Sequence, residues 1–193
     1  MDLKQRKTAP ILLLAALPSW LLATENSLEV EVSVDIESVA QLAISGDELQ
    51  WSIAAPTTPG GEPTIVQDTL YQYVQYSSVL DSRSSPRTIT LARKIGSSLL
   101  MEGLVLHITP EQFVGSDSGG GLGDVGSAMM LEGGLLLGNG VVAENIETAW
   151  TGNGPGEGLR IQYRLDMNKN IIHELEAGLH NGVELVFTMT ESL

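Results

Sequence analysis

Leu28, Val30, Val32, Val34 and Ile36 alternate with Glu29, Glu31, Ser33 and Asp35. Successive side chains of a strand point to opposite faces, so this segment reads as a strand with one apolar and one acidic face. Period two recurs along nearly the whole chain. Residues 39–44 read as a second, more buried strand that stops at Gly46-Asp47, and Leu49, Trp51 and Ile53 alternate again. Residues 56–63, with Gly60-Gly61, form a loop. Residues 70–79 are rich in Tyr and Val, as a strand would be. Residues 81–86 are a polar turn, with 88–95 as the return strand. Leu104, Leu106 and Ile108 alternate with Val105, His107 and Thr109, and Pro110 is expected to end that strand.

The second half continues in the same way. Residues 115–126 read as a long glycine-rich loop carrying Asp117 and Asp124. Gly138-Asn139-Gly140 reads as a hairpin turn between residues 129–137 and 141–149. Residues 152–158 are a second flexible loop. Leu159, Ile161, Tyr163 and Leu165 alternate with Arg160, Gln162, Arg164 and Asp166. Asn181-Gly182 links residues 175–179 to a last strand whose Val183, Leu185, Phe187 and Met189 face one way. Residues 171–177 could form a turn or two of helix, and no longer amphipathic helix is visible. About ten short strands with polar turns predict an all-β protein, an antiparallel β-sandwich of Ig-like or jelly-roll type.

Before the strands comes a different pattern. Lys4, Arg6 and Lys7 precede an apolar run from Ile11 to Leu17, extended past Pro18 by Trp20, Leu21 and Leu22, with the small Ala23 before Thr24-Glu25-Asn26. This is the pattern of a secretory signal peptide, cut after Ala23, and the run falls short of the roughly 20 residues a membrane helix needs. The expected organisation is residues 1–23 as signal peptide and 24–193 as one sandwich domain, with no membrane span after cleavage. The location is then extracellular, secreted or at the cell surface. Loss of Lys4, Arg6, Lys7 and Asp2 moves the net charge from −14 to −16. So acidic a chain argues against nucleic acid, whose phosphates need a basic surface. The absence of cysteine excludes disulfides, a thiol nucleophile and cysteine-ligated zinc.

Chemistry-bearing motifs are sparse. Ser116-Asp117-Ser118-Gly119-Gly120 looks like the nucleophile segment of trypsin-like proteases, but His107 is the only upstream histidine and sits in an alternating strand. His173 and His180 complete the histidines, and none has a partner at zinc-helix spacing. No catalytic residue and no cofactor is assigned, and the chain reads as a non-enzyme. Asp117, Asp124 and Glu157 lie in glycine-rich loops with accessible carbonyls, which would suit calcium or simply be solvated. Arg83, Arg87, Arg93 and Lys94 are either edge-strand charges or partners for an acidic neighbouring subunit.

The leader, the alternating segment after it, and the final Val183-Glu184-Leu185-Val186-Phe187-Thr188-Met189-Thr190 resemble exported bacterial β-sandwich fibre subunits, pilin-like or TasA-like. So does the pairing expected between residues 159–165 and that last strand. The cysteine pair common in chaperone-usher pilins is absent. The resemblance implies assembly into filaments by strand donation, with residues 24–37 as the donor segment and Leu28, Val30, Val32, Val34 and Ile36 as the interface. The alternatives are that residues 28–36 pair within their own sandwich, and that the protein is a monomeric binding module for carbohydrate or protein, using loop aromatics such as Trp150.

Overall fold

Apolar residues at every second position give each strand one face to bury, and two sheets bury those faces against each other. A computed structural model describes residues 37–46, 48–168 and 182–192, which belong to one compact unit. They form fourteen strands: β1 (Val39–Ser45), β2 (Ser52–Ala54), β3 (Thr64–Val66), β4 (Thr69–Val79), β5 (Arg87–Arg93), β6 (Leu104–Val114), β7 (Gly119–Gly120), β8 (Asp124–Val125), β9 (Met129–Glu132), β10 (Leu135–Leu137), β11 (Val141–Ile146), β12 (Ala149–Trp150), β13 (Gly158–Met167) and β14 (Leu185–Glu191). Every pairing is antiparallel, and no described residue is helical.

The larger sheet has the order β10-β9-β6-β13-β4-β12-β7, with β1 on the other edge of β4. The smaller sheet runs β14-β5-β11-β8, and β2-β3 is a separate ribbon. The all-β antiparallel sandwich expected from the sequence is therefore present. Its core joins Val74 and Tyr76 of β4, Leu106 and Ile108 of β6, Leu159, Ile161, Tyr163 and Leu165 of β13, Ile89 and Leu91 of β5, and Val142 and Ile146 of β11. Burial raises the pKa of the Tyr76 and Tyr163 phenols well above the ordinary value, so both stay neutral. Tyr76 donates its O–H to the Leu122 carbonyl.

Several connections differ from the sequence expectation, and for one reason: turn chemistry shows where the chain bends but not which sheet it bends into. Asp81 does make the expected turn, accepting from the backbone N–H of Arg83 at 2.7 Å and of Ser84 at 3.0 Å. Those bonds, the Arg83 one first, hold its carboxyl below the usual range. Yet β5 does not return along β4; it crosses to the smaller sheet. Gly138-Asn139-Gly140 likewise carries the chain from β10 in one sheet to β11 in the other. The tight hairpin is instead at Gly133-Gly134, where Leu135 faces Glu132 and Gly133 has φ +55°. β13 pairs with β4 and β6, and β14 with β5, so residues 159–165 and the last strand meet only through the core.

Pro110 does not end β6. It faces Ile161 at a bulge where Leu159 opposes Phe113, and pairing with β9 has already stopped at Ile108. A missing N–H is tolerated there. β1 is less buried than its composition suggests, with Ile44 46% exposed, because it is an edge strand. In β14, Leu185, Phe187 and Met189 do face the core, but only half-buried, again because the strand is terminal in its sheet.

This difference in depth is measurable. Ile161→Ala, in the fully buried centre, should cost about 2–5 kcal/mol by urea unfolding. Phe187→Ala should cost clearly less than the roughly 3–5 kcal/mol typical of a fully buried Phe.

Candidate functional site

The two strands at one side of the sandwich are its most distinctive surface. β1 ends the larger sheet there and β14 ends the smaller one, and the two approach each other across the layers. An edge strand presents a row of backbone donors and acceptors, which soluble proteins usually protect with Lys, Pro or a bulge. β1 reads Val-Ala-Gln-Leu-Ala-Ile-Ser and carries no charge or proline. β14 reads Leu-Val-Phe-Thr-Met-Thr-Glu, with one charge at its last residue. Both are continuous over seven residues and pair without a register shift to β4 and β5, their only strand neighbours among the described residues.

Arg87 fixes the root of this side. It begins β5, is only 5% exposed, and reaches across to the larger sheet. Its Nη1 donates to the Val39 carbonyl and, at 3.1 Å, to Ser78 Oγ; its Nη2 donates to Ser38 Oγ at 3.0 Å. Ser38 Oγ in turn donates to the Val79 carbonyl at 3.0 Å. The chain is thus pinned where it enters β1, immediately after residues 24–37. The donor residues themselves, Leu28, Val30, Val32, Val34 and Ile36, lie outside the described residues, as do His173, His180 and residues 171–179.

The other basic residues of this group are mostly engaged within the chain. Arg93 donates to the carbonyls of Gly134 at 3.2 Å and Ser97 at 2.8 Å, holding the Gly133-Gly134 hairpin against the turn after β5. Lys94 meets Glu184 at 2.5 Å on the surface, where such pairs contribute little. Since β5 lies between β14 and β11, these residues are not edge-strand charges, and Arg87 and Arg93 are not free to meet a neighbouring subunit.

The glycine-rich segment 115–126 is a packed strap rather than an open loop. β7 adds to β12 in the larger sheet and β8 to β11 in the smaller, so the strap laces the layers together. A Cβ on Gly120, at φ +83°, would fall on the Thr148 carbonyl, and one on Gly126 would fall on that of Val141. Only glycine allows the backbones to come so close. Of the three acids assigned to calcium or solvent, Asp124 accepts from Asn145 Nδ2 at 2.8 Å, and Glu157 folds back to accept the Gly154 N–H at 2.7 Å. Among the described residues no three metal-ligating side chains cluster.

His107 contacts Asp166 at 3.0 Å on the outer face of β6 and β13. Ser118 lies beside β7, whose Gly119 aligns through Trp150 with Ser77 of β4, whereas His107 aligns through Arg164 with Thr69, eight residues along the same strand, about 26 Å at the usual rise. The protease-like constellation is therefore not assembled. Trp150 is 52% exposed; it pairs with Ser77 and Gly119 and covers Gly119 with its ring. Sequence reasoning missed the strut made by Arg87, and a signal did exist. Arg87 opens an alternating strand with Ile89 and Leu91 on the same face, so its side chain had to point inward.

No known family matches the chain, and no curated protein or solved structure matches it either. No helix among the described residues is long and apolar enough to cross a membrane.

Arg87→Met should leave the Val39 carbonyl and the Ser78 and Ser38 hydroxyls without their donor, lowering stability by about 1–3 kcal/mol. Hydrogen exchange should then show β1 losing protection before β13. Gly120→Ala should cost about 1–3 kcal/mol by overpacking the strap, with the same assay as readout.

Proposed function

We propose that the protein is an exported structural subunit that assembles into extracellular filaments by strand donation. The observation that carries this reading is the pair of strands, β1 and β14, that are edges among the described residues, on one side of the sandwich, next to a root that Arg87 holds in place. The segment before that root has the complementary character: five aliphatic side chains on one face and acids on the other. Full burial of each is worth roughly 1.5–3 kcal/mol, enough to drive association after ordering costs.

The connection also favours donation over pairing with its own β1. Only Glu37 and Ser38 separate Ile36 from Val39. A two-residue hairpin needs positive φ at one or both positions, which Gly, Asn or Asp supply and Glu-Ser does not. A segment that cannot fold back tightly onto β1 is better placed to continue outward and add to the edge of a second copy. Main-chain bonds would give affinity and the alternating side chains register. A head-to-tail contact of this kind does not close, so it propagates as a fibre. The likeness to pilin-like and TasA-like subunits and the export leader point the same way.

Deleting residues 24–37 should abolish filaments seen by negative-stain microscopy while leaving a folded domain, and a peptide of the same sequence should restabilise it. A mature chain that stays monomeric at high concentration, with residues 28–36 protected from exchange, would place the segment in its own sandwich. The protein would then be a monomeric binding module.

A further inference from the structure

The geometry points to a binding site for a neutral polysaccharide along the outer face of β4, between Tyr71 and Trp150. Odd-numbered residues of β4 face outward, since Val74, Tyr76 and Ser78 are buried. That face therefore presents Tyr71, Tyr73, Gln75 and Ser77 in a line, and Trp150 joins it beside Ser77. Tyr71 is 44% exposed and Trp150 52%. From Tyr71 to the register position of Trp150 is six residues, about 20 Å at the usual rise, the length of a short oligosaccharide.

Two shallow hollows lie along this line. One, of about 380 Å³, is bounded by Tyr71, Tyr73, Thr69, Gly46, Glu48 and Leu49. The other, of about 450 Å³, is bounded by Gln41, Gln75, Ser77 and Asn153. The first offers aromatic rings, the second the amides of Gln41 and Asn153 and the Ser77 hydroxyl beside apolar Leu42 and Ala43. A pyranose ring has the matching duality: C–H faces that stack on aromatic rings and hydroxyls that both donate and accept, as side-chain amides do.

The charges on the face select against an ion. Arg160 is held by Glu111 at 2.5 Å, and its guanidinium carbon lies 5.4 Å from the Tyr71 ring centroid. Arg164 and His107 share Asp166, at 2.9 and 3.0 Å. Both arginines are already compensated, and a chain of net charge −14 repels polyanions. Gln162 donates to the Tyr71 hydroxyl at 3.1 Å, which, with Arg160, orients the ring before any ligand arrives. Tyr71 and Trp150 lie on β4 and β12 rather than on β1 or β14, so the stacking positions are distinct from the strand-addition edges.

The test is calorimetric titration of the purified protein with cellohexaose, chitohexaose and maltohexaose, with polygalacturonate as the charged comparison. At least one neutral hexasaccharide should bind with little dependence on salt and perturb tryptophan fluorescence. Tyr71→Ala and Trp150→Ala should each weaken it by about ten-fold, while both variants keep the parent's circular dichroism and melting profile. Ile95→Ser, at a fully exposed position remote from the face, should leave binding unchanged. Failure of all three neutral sugars to bind at millimolar concentration, binding of polygalacturonate alone, or binding that survives both ring truncations would each overturn the assignment.

Discussion

The guanidinium of Arg87 is buried where the two sheets meet, and the oxygens around it are a carbonyl and two hydroxyls rather than a carboxylate. A buried cation is tolerable only when its donors are satisfied, so Val39, Ser78 and Ser38 must hold their positions for the charge to remain there. That requirement fixes β1 against β4 and fixes β5 beneath both. The edge strands, the approach of β14 and the point from which the preceding segment departs all follow from it.

Across β4 from β1 the layers are joined by backbone instead of charge. The strap from Gly119 to Gly126 contributes a strand to each sheet, and a Cβ on Gly120, Gly123 or Gly126 would strike a carbonyl. Thr151 continues this closure. Its N–H bonds the Tyr76 carbonyl at 3.1 Å and its hydroxyl accepts the Tyr76 N–H at 2.9 Å, so a side chain completes the ladder where β12 ends. With one side strapped and the other pinned, the described residues hold β1 and β14 as edge strands that carry a single charge between them, Glu191.

Edge and face divide the surface by chemistry. The edges offer backbone groups beside aliphatic side chains, which suit another strand. The outer face of the larger sheet offers oriented rings, amides and internally balanced charges, which suit a neutral polar ligand. A filament built through the edges would leave that face repeated along its length, where weak contacts with a polymer would sum.

Period two alone determined that the described residues are all-β. It also determined which side of β6, β13 and β14 faces the core, because alternation is a property of single strands. Leu159, Ile161, Tyr163 and Leu165 were legible as core residues for that reason, as were Leu104, Leu106 and Ile108. The acidic composition and the leader pattern were equally local. Tertiary structure alone decided the assignment of strands to sheets, since a glycine turn reverses the chain equally well into either layer: Gly138-Asn139-Gly140 looked like a hairpin and is a crossing. It also decided that segment 115–126 is a strap, because the carbonyls that exclude side chains there come from Val141 and Thr148, remote in sequence. And it made Arg87 a strut rather than a surface charge, since the oxygens that accept its bonds lie in residues that only folding brings to it.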